Sequence, residues 1–118
     1  MLGDGDLMSM REAQAAALPD VGEIWRRQRV GDGMGGFGET FTRIATVMCR
    51  IRETGERSLE GEIARRHGAM LGYVVTMPFG QDVQMGDQVR VLGRVFEVVW
   101  VAVRSYETAR RVVCVEVV

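Results

Sequence analysis

The 118-residue chain contains no lysine: all fifteen of its basic residues are arginine. Base-composition bias in the gene produces such a skew. A planar guanidinium fork also suits bidentate contacts across subunit interfaces, and the two readings are compatible. A basic excess is missing too. Sixteen acids leave a net charge of −1, which is not the balance of a dedicated nucleic-acid binder. Histidine occurs once, at His67, with no cysteine or aspartate close by in sequence, and reads as a surface loop residue. Cysteine occurs twice, at Cys49 and Cys114, with no second ligand at metal-binding spacing. Both lie in apolar strand-like runs and read as buried free thiols. A disulfide has no support, because nothing marks the chain as secreted. Asp4 and Asp6 stand where a signal peptide carries positive charge, and the longest apolar run, Val98 to Val103, is far too short to span a bilayer. The expectation is a soluble protein made in the cytoplasm, with no membrane partner, no metal and no cofactor.

What is present is a strand pattern. The apolar fraction of 47% suits a single globular domain with a genuine core. Residues 72–118 alternate valine-rich runs with turns: Tyr73–Met77, a Pro78-to-Gly80 turn, Gly86-Asp87, then Gln88–Val91 and Arg94–Val103 around a Leu92-Gly93 tip, and a closing run from Arg110. Upstream, Gly22–Val30 reads as a first strand and Glu39–Glu53 as a second. In the latter, Phe41, Ala45, Val47, Cys49 and Ile51 share one face, and Arg43-Ile44 breaks the alternation as a bulge does. The fold class expected is mainly β: a small antiparallel β-barrel over residues 21–118, with a short N-terminal helical arm over 1–20 and one long inter-strand loop over 54–71.

Two stretches carry ambiguous signals. Gly31-x-Gly33-x-x-Gly36 matches a phosphate-binding glycine string, but strand-like residues follow it where that motif needs a helix, so a hairpin loop is expected. In the arm, Ser9 and Glu12 fit a capping box for an alanine-rich helix over Glu12–Leu18, ended by Pro19. So short a helix is marginal alone and is expected to order only where Leu7, Met10 and Leu18 dock on the barrel of the same chain or on a partner, with a neighbouring ring or subunit as the favoured surface.

Charge is segregated: residues 1–21 carry net −3 and residues 22–52 net +3. Opposite-signed segments can steer one copy towards another. In the strand 94–103, Phe96, Val98 and Trp100 are expected on one face and Val95, Val99, Val101 and Val103 on the other. A strand apolar on both faces is covered on both sides, by the arm, the long loop or another subunit. The candidate subunit interface is therefore Leu7, Met10, Leu18, Arg26, Arg27, Val99, Val101 and Val103.

The ordered run Pro78-x-Gly80-x-Asp82-Val83-x-x-Gly86-Asp87-x-Val89-x-Val91-x-Gly93-Arg94-x-Phe96-x-Val98 is followed by Thr108-Ala109-Arg110-Arg111-Val112-x-Cys114. Upstream stand Arg26-Arg27, the glycine-rich turn, Ala45-Thr46-Val47-x-Cys49-Arg50 and a long charged loop. Together these resemble the head-tail joining proteins of long-tailed phages, the head-completion or stopper proteins also used by gene transfer particles. The resemblance spans residues 21–118 and leaves the arm out. It implies a homo-oligomeric ring in the virion neck, beneath the portal or adaptor and above the tail terminator or tail tube. Such a ring closes the DNA-filled head. It further implies that a long loop faces packaged DNA in the channel. Here that position falls on 54–71, with Arg57, Glu60, Glu62, Arg65, Arg66 and His67 as candidate channel residues and a net charge of zero. Ser58 is placed to cap a helical turn there, and Glu62 to pair with Arg66.

No catalytic constellation accompanies these patterns, so no enzyme activity is expected; Asp82 and Asp87 read as turn residues. The alternative is an oligonucleotide-binding-type barrel that binds nucleic acid non-specifically through Arg26, Arg27, Arg29, Arg50 and Arg52 with Trp25 and Phe41.

Overall fold

Alternating apolar positions build six strands, and in the computed structural model these close into one antiparallel barrel. The structure describes residues 4–31, 33, 35–55, 58–67, 72–102 and 107–117. The strands are β1 (Asp20–Gly31), β2 (Phe37–Glu53), β3 (Tyr73–Pro78), β4 (Gln88–Val91), β5 (Arg94–Ala102) and β6 (Ala109–Val117). Helix α1 (Asp4–Ala16) precedes β1, and helix α2 (Leu59–Arg66) lies in the long β2–β3 insertion. The order around the barrel is β1-β2-β3-β6-β5-β4, and β4 returns to pair with β1. This is the mainly β architecture that the strand and turn pattern predicts.

The interior is filled by Ile24, Val47, Cys49, Val75, Met77, Val89, Phe96, Val98, Val112 and Cys114, all buried. Tyr73 meets Phe96 edge-on, with ring centroids 5.1 Å apart. Burying the Phe96 side chain stabilises the barrel by about 2–3 kcal/mol. Gly22 allows β1 to approach β2 closely, since a Cβ there would sit 3.0 Å from Cys49 Sγ. The β4–β5 hairpin turns on Leu92 and Gly93, both at positive φ (53° and 73°), the two-residue geometry that matches strand twist.

Two bulges set which side chains face inward. On β2, Ile24 pairs with Ala45 but Trp25 with Arg43, so Ile44 is the extra residue, where the sequence alternation breaks. On β5, Val98 pairs with Cys114 but Trp100 with Val113, so Val99 is the extra residue. This second bulge corrects the expected faces of β5. An inserted residue inverts the alternation beyond it. Val101 therefore packs against the interior cluster with Phe96 and Val98, and Trp100 turns outward beside Val99.

Helix α2 covers that outward patch. Ala64 packs with Val99 and Val113, flanked by Ile63, Trp100 and Val115. Ser58 caps the helix, its Oγ accepting from Gly61 N at 3.0 Å. The docking is close because Gly72 lacks a side chain, where a Cβ would collide with that of Ala64; within the insertion, one on Gly61 would collide with Gly55 O. The apolar outer face of β5 is thus satisfied within the chain, by the long insertion itself.

Helix α1 begins at Asp4, so Ser9 lies inside it rather than at a cap. Asp6 in the first turn suits the positive end of the helix dipole, and Leu7, Met8 and Met10 are good helix formers. The half-buried positions Leu7, Arg11 and Gln14 form one stripe, and Leu18 beyond the helix is 4% exposed. The arm therefore seats on its own barrel, against β3 and β6.

The first hairpin departs from the barrel. Among the described residues, β4 pairs with β1 only over Gly22–Trp25, and β3 pairs with β2 only over Arg50–Glu53. Yet β1 and β2 stay paired out to Gly31 and Phe37. Residues 26–31 and 37–42 thus form a two-stranded ribbon running about 20 Å beyond the barrel at ~3.4 Å per residue, in a molecule 57 Å long and 31 × 26 Å across.

Candidate functional site

Four features could carry contacts to another molecule: an arginine clamp, the outer face of the ribbon, α2 and α1. Arg26 comes off β1 just past its last β4 pair and reaches into the β3–β4 loop. Its Nε and Nη2 donate to Asp87 Oδ1 and Oδ2 at 3.0 and 2.9 Å, and Nη1 donates to Asp82 Oδ2 at 3.2 Å. Asp87 is 2% exposed, and its Oδ2 also accepts from Gln84 N at 2.9 Å. The hydrogen bonds to Asp87, then those to Asp82, raise the Arg26 pKa above its usual value. Backbone bonds lock the same loop to β5: Gly86 N to Val98 O at 2.8 Å and Val98 N to Asp87 O at 2.9 Å. Arg26, expected at an interface, is thus an internal clamp. Asp82 and Asp87, read as turn residues, are its acceptors. The Gly86-Asp87 turn was visible in the sequence; its partner 61 residues away was not.

The outer face of the ribbon continues the outer face of the barrel. It carries Glu23, Trp25, Arg27 and Arg29 from β1, Phe41 and Arg43 from β2, and Arg90 from β4, all brought together by the register. The Arg90 guanidinium lies 4.1 Å from the Trp25 ring and that of Arg27 5.5 Å from the Phe41 ring. Arg43 donates to Glu23 at 2.9 Å, and Arg27 pairs with Glu39 at 3.5 Å. The Arg43 hydrogen bond, then that of Trp25 Nε1, holds the Glu23 carboxyl below its usual range. Trp25 and Phe41 are half-buried surface residues rather than core. The arginines predicted to share a face do so only in part. Arg27 and Arg29 join Trp25 and Phe41, Arg26 points to the opposite face, and Arg50 donates to Ala17 O at 3.0 Å beside the end of α1.

On α2, Glu62, Arg65, Arg66 and His67 are exposed and Glu60 is half-buried. Arg66 pairs with Glu62 at 2.8 Å across one helical turn, as its spacing predicts. His67 Nδ1 lies 3.0 Å from Ile63 O. Arg57 and Val103 lie outside the described residues. On α1, Arg11 stacks over Phe79 at 3.3 Å, and its Nε donates to Glu107 O at 3.0 Å, which ties the arm to the barrel. Met10 is 42% exposed. Leu18, Val99 and Val101, expected at a subunit contact, are instead occupied inside the chain: Leu18 under the arm, Val99 under α2, Val101 in the interior.

Cys49 and Cys114 are free and buried. Burial pushes the Cys49 thiol up to about 11, with a smaller contribution from Asp20, and raises the Cys114 thiol as well. Thiols so raised stay protonated and are poor nucleophiles or ligands. Among the described residues, no three of His, Cys, Asp and Glu cluster as a metal site. No helix among them is long and apolar enough to cross a membrane.

The family model for the phage head completion protein matches residues 14–118, from the last turn of α1 to the final residue. The chain belongs to that family. Head completion proteins are structural components of the virion rather than enzymes, so the barrel has a head-closure role in a phage-type particle. Solved structures share its fold, and two illustrate it. One is the solution structure of protein SF1141 from Shigella flexneri 2a, at TM-score 0.66 and 18% identity, covering 84% of this chain and 92% of that one. The other is a chain in the virion of a native gene transfer agent particle, at TM-score 0.53 and 18% identity over the same shares. No curated protein matches the sequence.

Proposed function

We propose that this head completion protein works as one wedge of a ring in the virion neck. The ring sits beneath the portal or adaptor, closes the DNA-filled head and offers the surface to which the tail attaches. The observation that carries this reading is the ribbon. A two-stranded sheet in water is marginal by itself, and a chain that extends one about 20 Å from its barrel leaves a surface suited to a neighbour. A ring needs a heterologous interface that closes by rotation, and a protruding ribbon on one side of a barrel is a fitting half of one.

In this reading the insertion 54–71 faces the channel. The exposed residues of α2 carry both signs of charge, which disfavours tight DNA binding and permits ejection. The helix rests on the barrel through the patch of Val99, Trp100, Val113 and Val115, so swinging it inward would give up that apolar burial. Electron microscopy of particles with antibody label on this protein tests the assignment. Label at the junction between head and tail is expected; particles that lack the protein, or carry it elsewhere, overturn it.

One observation favours the second reading, of a non-specific nucleic-acid binder: Trp25 and Phe41 share an outer face with Arg27 and Arg29. Glu23 and Glu39 interleave that face and weaken the case. A salt-dependent gel shift with single-stranded DNA discriminates, and absence of binding at low salt removes this reading.

A further inference from the structure

We infer that the outer face of the ribbon docks on the exposed side of α1 in a second copy of this chain. The inference rests on the ring reading and names the two surfaces that meet. The ribbon face offers Trp25 and Phe41 with the cations Arg27, Arg29, Arg43 and Arg90 against the acids Glu23 and Glu39, a net charge of +2. Helix α1 offers the opposite character. Its single cation, Arg11, is turned onto Phe79 and Glu107, so its exposed positions show Asp6, Glu12 and the methionines Met8 (59% exposed) and Met10 (42%). Methionine makes favourable contacts with aromatic rings, and carboxylates pair with arginine forks.

The two surfaces belong to different parts of one molecule. α1 contacts β3 and β6, whereas the ribbon extends from β1 and β2 beyond the barrel. A contact between them is therefore head-to-tail: each copy uses its ribbon on one neighbour and its helix on the other, which is the arrangement that builds rings. The segregation of charge, net −3 over residues 1–21 and net +3 over 22–52, supplies the orientation and disfavours ribbon-to-ribbon pairing. Duplex DNA is the competing occupant of an arginine-bearing face. It is disfavoured because Glu23 and Glu39 interleave that face and repel a uniformly anionic backbone, which also offers Trp25 and Phe41 no counterpart to the methionines of α1.

The test is a charge exchange on the full-length protein, read by analytical ultracentrifugation over a concentration series. The ribbon variant is Arg27→Glu with Arg29→Glu; the helix variant is Asp6→Arg with Glu12→Arg. Each alone is expected to weaken self-association by roughly tenfold or more, since like charges then face one another. The chain carrying all four changes, and an equimolar mixture of the two variants, are expected to recover association, because every interface again pairs opposite signs. Unchanged circular dichroism and melting behaviour shows that each variant folds; the helix variant tests the same contact without touching the ribbon. Association by either single variant at wild-type strength overturns the inference, and so does a four-change chain that stays dissociated. A wild type that is monomeric at every concentration also overturns it, while immunolabelling of particles still decides the neck assignment separately. If the ribbon variant associates normally but loses duplex DNA in a gel shift, the face belongs to DNA and the inference fails.

Discussion

The barrel body and the ribbon are made by the same two strands, yet they are held by different forces. Within the body, β1 has β2 and β4 as neighbours, and its inward side chain Ile24 is fully buried. Six residues further on, Val30 sits on the same strand with half its surface exposed and, among the described residues, β2 as its one strand neighbour. The body is stabilised by apolar burial. The ribbon is stabilised by ladder hydrogen bonds, cation–ring stacking and surface ion pairs, each worth at most about 1 kcal/mol in water.

The largest expected effect falls in the body. Phe96→Ala removes a fully buried ring and its edge contact with Tyr73, and should cost about 3–5 kcal/mol. Denaturant unfolding measures it, and a loss below about 1 kcal/mol would mean that the interior is not packed as described. Next comes the clamp that joins the two regions. Asp87→Ala leaves Arg26 without its main acceptor and frees the β3–β4 loop. The loss should be about 2–3 kcal/mol, below the usual range for a broken buried pair because Arg26 is 25% exposed. Asp82→Ala is the control: Asp82 is 69% exposed and its removal should cost well under 1 kcal/mol. Equal losses from the two substitutions would refute the ranking of the two acceptors.

Strands, their bulge at Ile44, the capped turn at Ser58 and the Glu62–Arg66 pair were legible because each depends on residues within a few positions of one another. What was not legible depends on distant partners. The alternation on β5 put Trp100 inside and Val101 outside, and the bulge at Val99 reversed both; a valine-rich run offers no polar residue to mark such a slip. The docking of α2 rests on Ala64 and Gly72, whose smallness matters only once the helix lies against the start of β3. Arg26, Asp82 and Asp87 each looked sufficient locally, as strand arginine and turn acids, so nothing in their neighbourhoods announced the clamp. Of the surface residues put forward from sequence, those on the ribbon and on the outside of α1 remain open to a partner. Of the apolar ones, Leu18, Val99 and Val101 had already been used by the chain itself, whereas Met10 stays exposed.

A third effect separates the interior from the surface by pH. Burial raises the Cys49 thiol to about 11, mainly by desolvation. A thiol raised on folding supports the native state fully below the unfolded value of about 8.5, and that support is lost as pH rises towards the folded value. Melting temperature should therefore fall from about pH 9 upward, more steeply in the wild type than in Cys49→Ala, whose absolute stability is lower. Parallel pH profiles for the two proteins would show that the thiol is not shielded. In the same state, neither thiol should react with a disulfide reagent near neutral pH until the protein is unfolded by guanidinium.

The smallest effect is also the sharpest comparison, because it repeats the first substitution in the other region. Phe41→Ala removes a phenyl ring as Phe96→Ala does, but Phe41 lies on the ribbon, half exposed, with Arg27 above it at 5.5 Å. The ring leaves no cavity behind, since one side of it already faces water. What is lost is one stacking contact and partial burial, about 1 kcal/mol or less. A cycle with Arg27→Ala isolates the stacking share, expected at about 0.5–1 kcal/mol. If instead Phe41→Ala cost as much as Phe96→Ala, the ribbon would be part of the barrel's cooperative core, and its exposed face would need no neighbour to explain it.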